Sequence, residues 1–250
     1  MTVQDSGKVA LVTGASRGIG YGIAEALVAR GDRVVITGRN EDALKDAVES
    51  LGADRVIGVA GKAHDEAHQR AAVERAMETF GRVDHLVNNA GTNPVFGPIA
   101  DLDLAVARKV FETNVISALG FAQQTWKAWQ KENGGAIVNI ASVAGLGASP
   151  FVGAYGISKA AMVNLTLQLA HEMAPGVRVN AIAPAVVKTK FAAALYEGRE
   201  AEAVASYPLG RLGVPADIGG AAAFLLSDAA GWITGQTLVM DGGILLNAGF

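Results

Sequence analysis

A tyrosine and a lysine stand four residues apart in "YGISK" (155–159), ahead of a run of helix-forming residues. A free phenol has a pKa of about 10 and exchanges protons poorly at neutral pH. On a helix, positions i and i+4 share a face, so Tyr155 and Lys159 are expected to point into one cleft. A lysine ammonium there favours the phenolate. Bringing the phenol to near 7 takes about 4 kcal/mol of differential stabilisation, within reach of two close positive charges in a partly desolvated site. Ser142, in "NIASVAG" (139–145), ends an apolar run, where a hydroxyl can hold a substrate oxygen beside Tyr155. Asn114, in "FETNVIS" (111–117), falls mid-helix, a poor place for asparagine unless its amide has a task, such as bridging a water to Lys159. These four residues suit proton transfer to or from an oxygen, with the phenol as acid and the lysine tuning it.

A second constellation implies the reaction partner. "TGASRGIG" (13–20) follows the first apolar run directly and opens a helix. Gly14 permits a sharp turn, Gly18 a close approach to a pyrophosphate and Gly20 tight helix–sheet packing, while free N–H groups at the helix start face the phosphates. In that position the glycine pattern reads as a dinucleotide site. The second apolar run ends "ITGRN" (36–40), with Gly38 and Arg39 where an NAD site has a carboxylate for the ribose hydroxyls. Arg17 in the glycine-rich turn approaches the same spot. Two guanidinium groups suit a 2′-phosphate, so NADP is expected over NAD. The positive nicotinamide ring of the oxidised cofactor would add to the charge around Tyr155.

These residues need a scaffold that brings the ends of several strands together. Apolar runs at 8–13, 33–37, 55–59, 84–88, 136–141, 177–183 and 236–240 alternate with helix-period segments near 18–30, 41–50, 65–80, 102–131, 152–174 and 215–227. The runs are continuously apolar, as in strands covered on both faces. The expected fold is therefore an α/β, Rossmann-type doubly wound, seven-stranded parallel sheet with helices on both faces, in a single domain over 1–250. The chain has 250 residues, no cysteine and a net charge of −3, with Lys+Arg 21 against Asp+Glu 24. Disulfides, thiolate chemistry and cysteine-ligated zinc are excluded, and no basic block points to nucleic acid. With no secretory leader pattern and no apolar run of about 18 residues, a soluble, cytoplasmic protein away from membranes is expected.

Together with "NNAG" (88–91) and "LVMDGG" (238–243), these motifs resemble those of the short-chain dehydrogenase/reductase family, in order and over nearly the full length. The resemblance implies a tetrad of Asn114, Ser142, Tyr155 and Lys159, hydride transfer with NAD(P)H, and a homotetramer. It implies cofactor contacts from Ser16 and Ile19 beside the glycine-rich residues, from Asn89, Ala90 and Gly91, from Tyr155 and Lys159, and from Pro184, Val187 and Thr189 beyond the sixth strand. Within the family the chain is most similar to β-ketoacyl-[acyl-carrier-protein] reductases. The expected reaction is reversible reduction of a ketone or a β-ketoacyl thioester on acyl carrier protein or CoA. The alternatives are a dehydrogenase of a steroid, sugar or small secondary alcohol and, outside enzymes, an NADP-sensing module, which would have no use for the tetrad.

The chain departs from the family pattern in places. Lys62 stands where an acidic residue often contacts the adenine, and the usual Pro-Gly is Pro184-Ala185. His171 replaces the arginine expected for carrier-protein docking, and "KAWQKENGG" (127–135) offers only Lys127 and Lys131. "HDEAH" (64–68) lacks the zinc-protease pattern and reads as a solvated helix start, with no metal expected. The segment 186–208 is long for a connection and reads as a lid, its Phe191, Leu195 and Tyr196 covering an apolar substrate with Phe96 and Phe151. The helix 154–170, apolar nearly all round, together with Trp126, Trp129 and 244–250, is expected to pack against other subunits.

Overall fold

The structure is a computed structural model that describes residues 7–247. Its strands are β1 (Val9–Val12), β2 (Arg33–Gly38), β3 (Val56–Ala60), β4 (His85–Asn88), β5 (Gly135–Ile140), β6 (Val177–Pro184) and β7 (Thr237–Met240). All pair in parallel, in the order β3-β2-β1-β4-β5-β6-β7. Alternate residues feed two cores. Val12, Ile36, Val87 and Val138 pack with Ile23 and Leu27 on one face, while Leu11, Val35, Leu86 and Ile137 pack with Val73, Phe121 and Leu169 on the other. Both faces of the central strands are covered, so these need an unbroken apolar run, while the edge strands β3 and β7 stay partly exposed.

The helices are α1 (Gly18–Arg30), α2 (Glu41–Leu51), α3 (Glu66–Phe80), α4 (Leu104–Phe111), α5 (Ser117–Thr125), α6 (Lys131–Asn133), α7 (Gly153–Glu172), α8 (Glu200–Ala205) and α9 (Pro215–Leu225). The strand order reverses between β1 and β4, which opens a crevice at their carboxyl ends. No helix among the described residues is long and apolar enough to cross a membrane.

Several expectations need correction. The single helix expected over 102–131 is α4, α5 and α6 joined by π turns at Glu112–Ile116 and Trp126–Gln130. The segment 186–208, by contrast, carries a 3-10 turn, Ala193–Leu195, and the short α8, in keeping with its helix-forming residues. "HDEAH" is not a solvated helix start throughout: Asp65 caps α3 through Ala67 N–H at 2.9 Å, but His68 and Gln69 are buried. His68 lies edge-on to Phe121, and burial lowers its pKa. Trp126 and Trp129 are half-buried against the core, and the Arg82 guanidinium lies over the Trp129 ring at 5.3 Å, which leaves each with part of its surface exposed. Of the terminal stretch 244–250, residues 248–250 lie outside the described residues; Ile244–Asn247 form a 3-10 turn.

Candidate active site

At the end of β1, Thr13 joins the two sides of the crevice. Its hydroxyl accepts hydrogen bonds from the Asn89 and Ala90 N–H groups at 2.9 and 3.0 Å. The Asn89 amide returns two, donating to the Thr13 and Gly14 carbonyls at 2.8 and 3.0 Å. The Asn89 side chain is thus spent on shaping the glycine-rich turn. Gly14 and Gly18 have positive φ, 64° and 62°, which favours glycine. At Gly20 a side chain would strike the Asn89 amide and the Gly14 carbonyl. Thr189, arriving from beyond β6, stands against Gly18, where an added β-carbon would lie 3.3 Å from its methyl group. Val187 is buried in the core and pairs by backbone with Gly213. Ile19 packs partly against the same core, and Ser16 stands beside Gly38.

The start of α1 differs from those of α2, α3 and α4. Asn40, Asp65 and Asp103 cap the latter three through side-chain oxygens. Arg17 precedes α1 in extended conformation with no side-chain cap, and the first turn holds no acidic residue. The N–H groups left over there, together with the positive end of the helix dipole, suit a phosphate. Arg17 and Arg39 are both exposed, with no ion-pair partner among the described residues. A glycine-lined turn, an uncapped helix start and two free guanidinium groups fit a dinucleotide. Gly14, Ser16, Gly18, Ile19 and Gly20 would cradle its pyrophosphate, with Thr189 opposite.

The four tetrad residues come together across the ends of β5 and α7. Ser142 follows β5; its hydroxyl accepts from Ala144 N–H at 3.2 Å, donates to the Pro184 carbonyl at 3.5 Å and hydrogen-bonds the Tyr155 phenol. Lys159 is buried, and its ammonium donates to the Ile140 carbonyl at 2.6 Å and stands 5.6 Å from the centre of the Tyr155 ring. Asn114 is buried in the first π turn. Its Oδ1 accepts from Thr92 N–H at 2.7 Å, and its Nδ2 donates to the Thr92 carbonyl at 3.1 Å and to Ser158 Oγ at 2.9 Å. The amide is committed to protein partners and fastens the loop after β4 to α7. A side chain built on the exposed Gly91 would stand 3.5 Å from Asn114 Oδ1 and 3.7 Å from Lys159 Nζ, so the bare glycine leaves the amine reachable.

The electrostatics run against the expectation for the phenol. In the free protein, burial pushes Tyr155 up to about 12, against the lowering effect of its hydrogen bond with Ser142. Burial also pushes Lys159 down to about 8. Desolvation disfavours the charged form of each group, and it is the leading cause of both shifts. Tyr155 therefore carries its proton at neutral pH, which suits an acid. Lys159 has no carboxylate partner among the described residues, an uncompensated buried cation of the kind that marks functional sites.

Some supporting residues have no sequence signal of their own. Ser158 lies inside "YGISK", yet its link to Asn114 appears only once α7 meets the π turn. Asn139 accepts from Asn88 and donates to Thr166, each at 2.9 Å, tying β4 and β5 to α7 below the tetrad. Phe191 reaches the Tyr155 ring at 6.1 Å between centroids. Phe96 and Phe151 stack on each other in neighbouring loops, and Phe151 has φ 65°, a strained backbone that costs about 1–3 kcal/mol.

Residues 14–245 match the family model described as enoyl-(acyl carrier protein) reductase. The chain is 40% identical over 247 residues to dehydrogenase/reductase SDR family member 4 of Caenorhabditis elegans, with 95% of each chain covered. It is 38% identical to the 3-oxoacyl-[acyl-carrier-protein] reductase FabG of Salmonella typhimurium, covering 96% of this chain and 98% of the relative. A solved structure from Brucella melitensis, titled short-chain dehydrogenase/reductase SDR:glucose/ribitol dehydrogenase, superposes with a TM-score of 0.92 at 32% identity, covering 98% of this chain and 99% of the other. On the match along nearly its whole length and its seven-stranded parallel fold, the chain belongs to the short-chain dehydrogenase/reductase family, whose members are NAD(P)-using oxidoreductases.

Proposed function

We propose that the protein is an NADPH-dependent reductase of ketones that runs in reverse as a secondary-alcohol dehydrogenase. The observation that carries this reading is the buried Lys159 ammonium 5.6 Å from the Tyr155 ring, with the Ser142 hydroxyl on the phenol. NADPH, when bound, supplies the hydride. Ser142 holds the carbonyl oxygen beside Tyr155, which gives it a proton as negative charge grows there. Lys159, anchored by the Ile140 carbonyl, keeps two ammonium hydrogens for the phenolate side and the cofactor ribose. Its charge stabilises the phenolate left behind, and the lost proton returns past the open Gly91. Asn114 acts as a positioning residue by fastening the loop of Gly91 and Thr92 to α7. Ala90, Gly91, Pro184 and Val187 would border the cofactor.

Tyr155→Phe is expected to lower ketone reduction by about 10²–10⁴-fold. NADPH affinity, read by fluorescence titration, should stay near the parent value; activity surviving the change would refute the phenol as acid. The exposed Arg17 and Arg39 support NADPH over NADH. Replacing either with alanine should remove a charge-assisted contact of about 1.5–3 kcal/mol, raising the KM for NADPH by roughly 10- to 100-fold without touching that for NADH. Parallel kinetics with the two cofactors decide it.

A β-ketoacyl thioester is the second reading, supported by the likeness to the Salmonella reductase. Against a carrier-protein partner, α7 presents an exposed His171 where arginine was expected. Homotetrameric assembly in the cytoplasm completes the proposal. Exposed Ile157 and Leu167 on α7 and Leu238 and Val239 on β7 support the assembly by offering apolar surface to other copies.

A further inference from the structure

We infer that Lys62 reads the base of the dinucleotide by its acceptor groups, so that 6-oxopurine dinucleotides bind at least as tightly as adenine ones. This rests on the dinucleotide reading above and assigns a specificity-determining residue to it. The sheet itself gives the cofactor its direction. Ser142 and Tyr155 lie beyond β5, the glycine-rich turn follows β1, and β4 stands between the two. A nicotinamide that reaches Tyr155 therefore spans β4. The other half of the molecule runs the opposite way, over β2 and β3.

The ends of β2 and β3 stand level there. Gly38 pairs in register with Ala60, and Gly61 N–H donates to the Gly38 carbonyl at 2.9 Å. The glycine-rich turn leans on the same spot, since a β-carbon added to Gly38 would lie 3.3 Å from Ser16. Arg39 and Lys62 thus leave two adjacent strand ends together, one residue past Gly38 and one past Gly61. With a sugar over Gly38 and its 2′-phosphate on Arg39, the base falls on the turn after β3.

That turn offers a cation and no free carboxylate. A side chain at Gly61 would strike the buried His68 ring, so that position admits no acid. Asp65 is spent on capping α3 through Ala67 N–H, and Glu66 faces Arg70 at 3.8 Å. The Gln69 amide takes the Ala63 carbonyl at 2.8 Å, and Asp65 N–H takes the Lys62 carbonyl at 3.0 Å. The Lys62 side chain is exposed, with no hydrogen-bond or ion-pair partner among the described residues. An ammonium only donates. A 6-oxopurine presents two neighbouring acceptors, O6 and N7, whereas adenine sets an amino donor beside its N7. A carboxylate would select the amino group; Lys62 selects the oxo group.

The test is titration of nicotinamide fluorescence with NADPH, NADH and their hypoxanthine analogues, deamino-NADPH and deamino-NADH. It needs no ketone, so a parent that binds these cofactors yet reduces no ketone fails the reaction reading alone. The parent should bind each hypoxanthine cofactor as tightly as its adenine counterpart, or up to about tenfold more tightly. Lys62→Asp should turn this into an adenine preference of about tenfold or more, with or without the 2′-phosphate. Lys62→Ala should fall between the two. Both changes are on the surface and are expected to keep the parent melting temperature. His64→Ala, which removes the half-buried imidazole of the same turn, should move the base ratio by less than about twofold. An adenine preference in the parent, or a base ratio unmoved by Lys62→Asp, would overturn the proposal. So would losses in the Lys62 variants confined to the two phosphorylated cofactors, which would make Lys62 a 2′-phosphate contact. If none of the four binds the parent, the dinucleotide reading fails and this proposal fails with it.

Discussion

The two ends of the same parallel strands treat charge in opposite ways. At the amino-terminal edge, the buried Asp84 carboxylate accepts from Val9 N–H at 2.9 Å and takes both arms of Arg82, at 2.8 and 2.7 Å, with Lys8 at 3.6 Å. Asp32, also buried, pairs with Arg30, which reaches on to the Ala223 carbonyl. His85 beside them is held neutral, its pKa pushed down to about 4 mainly by burial. At the carboxyl-terminal edge, Lys159 is equally buried, but its only hydrogen-bond partner among the described residues is the Ile140 carbonyl, and the start of α1 has no side-chain cap among them. A buried pair broken on one side is costly, so the paired edge serves stability. Unpaired charge and uncapped helix ends are tolerated where a ligand completes them, so the other edge serves chemistry.

The strongest way to break this contrast is to exchange the penalties. Lys159→Met removes a buried cation and keeps the chain length. We expect reduction to fall by about 10²–10⁴-fold while the melting temperature holds or rises. A drop in melting temperature with activity retained would place Lys159 with the structural charges. Asp84→Ala should do the reverse. It strands Arg82 and the Val9 N–H, with an expected loss of about 3–5 kcal/mol in denaturant titrations and unchanged kcat in the folded fraction. The pairing with Arg82 and Val9 holds the Asp84 carboxyl below its usual range. Its stabilisation is therefore present above the ordinary carboxylate pKa of about 4 and is lost as pH falls through the folded value. The variant should lack that part of the acid-side loss.

A smaller effect sharpens the comparison without mutation. Reduction needs Tyr155 protonated, which burial secures well above neutrality, and Lys159 charged, which burial limits to below about 8. The reduction rate should be flat to near neutrality and decline above about pH 8, by up to tenfold per unit. Alcohol oxidation needs the phenol as a base beside a charged Lys159, so its rate should climb with pH up to about 8 and level off above it. Rate profiles in both directions test this, and a reduction rate that rises from pH 8 to 10 would contradict it.

The seven strands could be read in the chain to within a residue or two, because a strand covered on both faces writes its burial locally as an apolar run. The glycine-rich turn was equally plain, since positive φ and close approach restrict residue type at single positions. Contacts between distant segments were not. Asn114 stood out as misplaced in a helix, but the π turn around it and its grip on Thr92 and Ser158 arise only when α7 packs against it. His68 looked solvated because its own helix start is polar, yet Phe121, far along the chain, buries it. The spacing of Tyr155 and Lys159 by itself determined that they share a helix face. Only the tertiary structure decided their proton affinities, because desolvation depends on everything packed around a group, and here it dominates both.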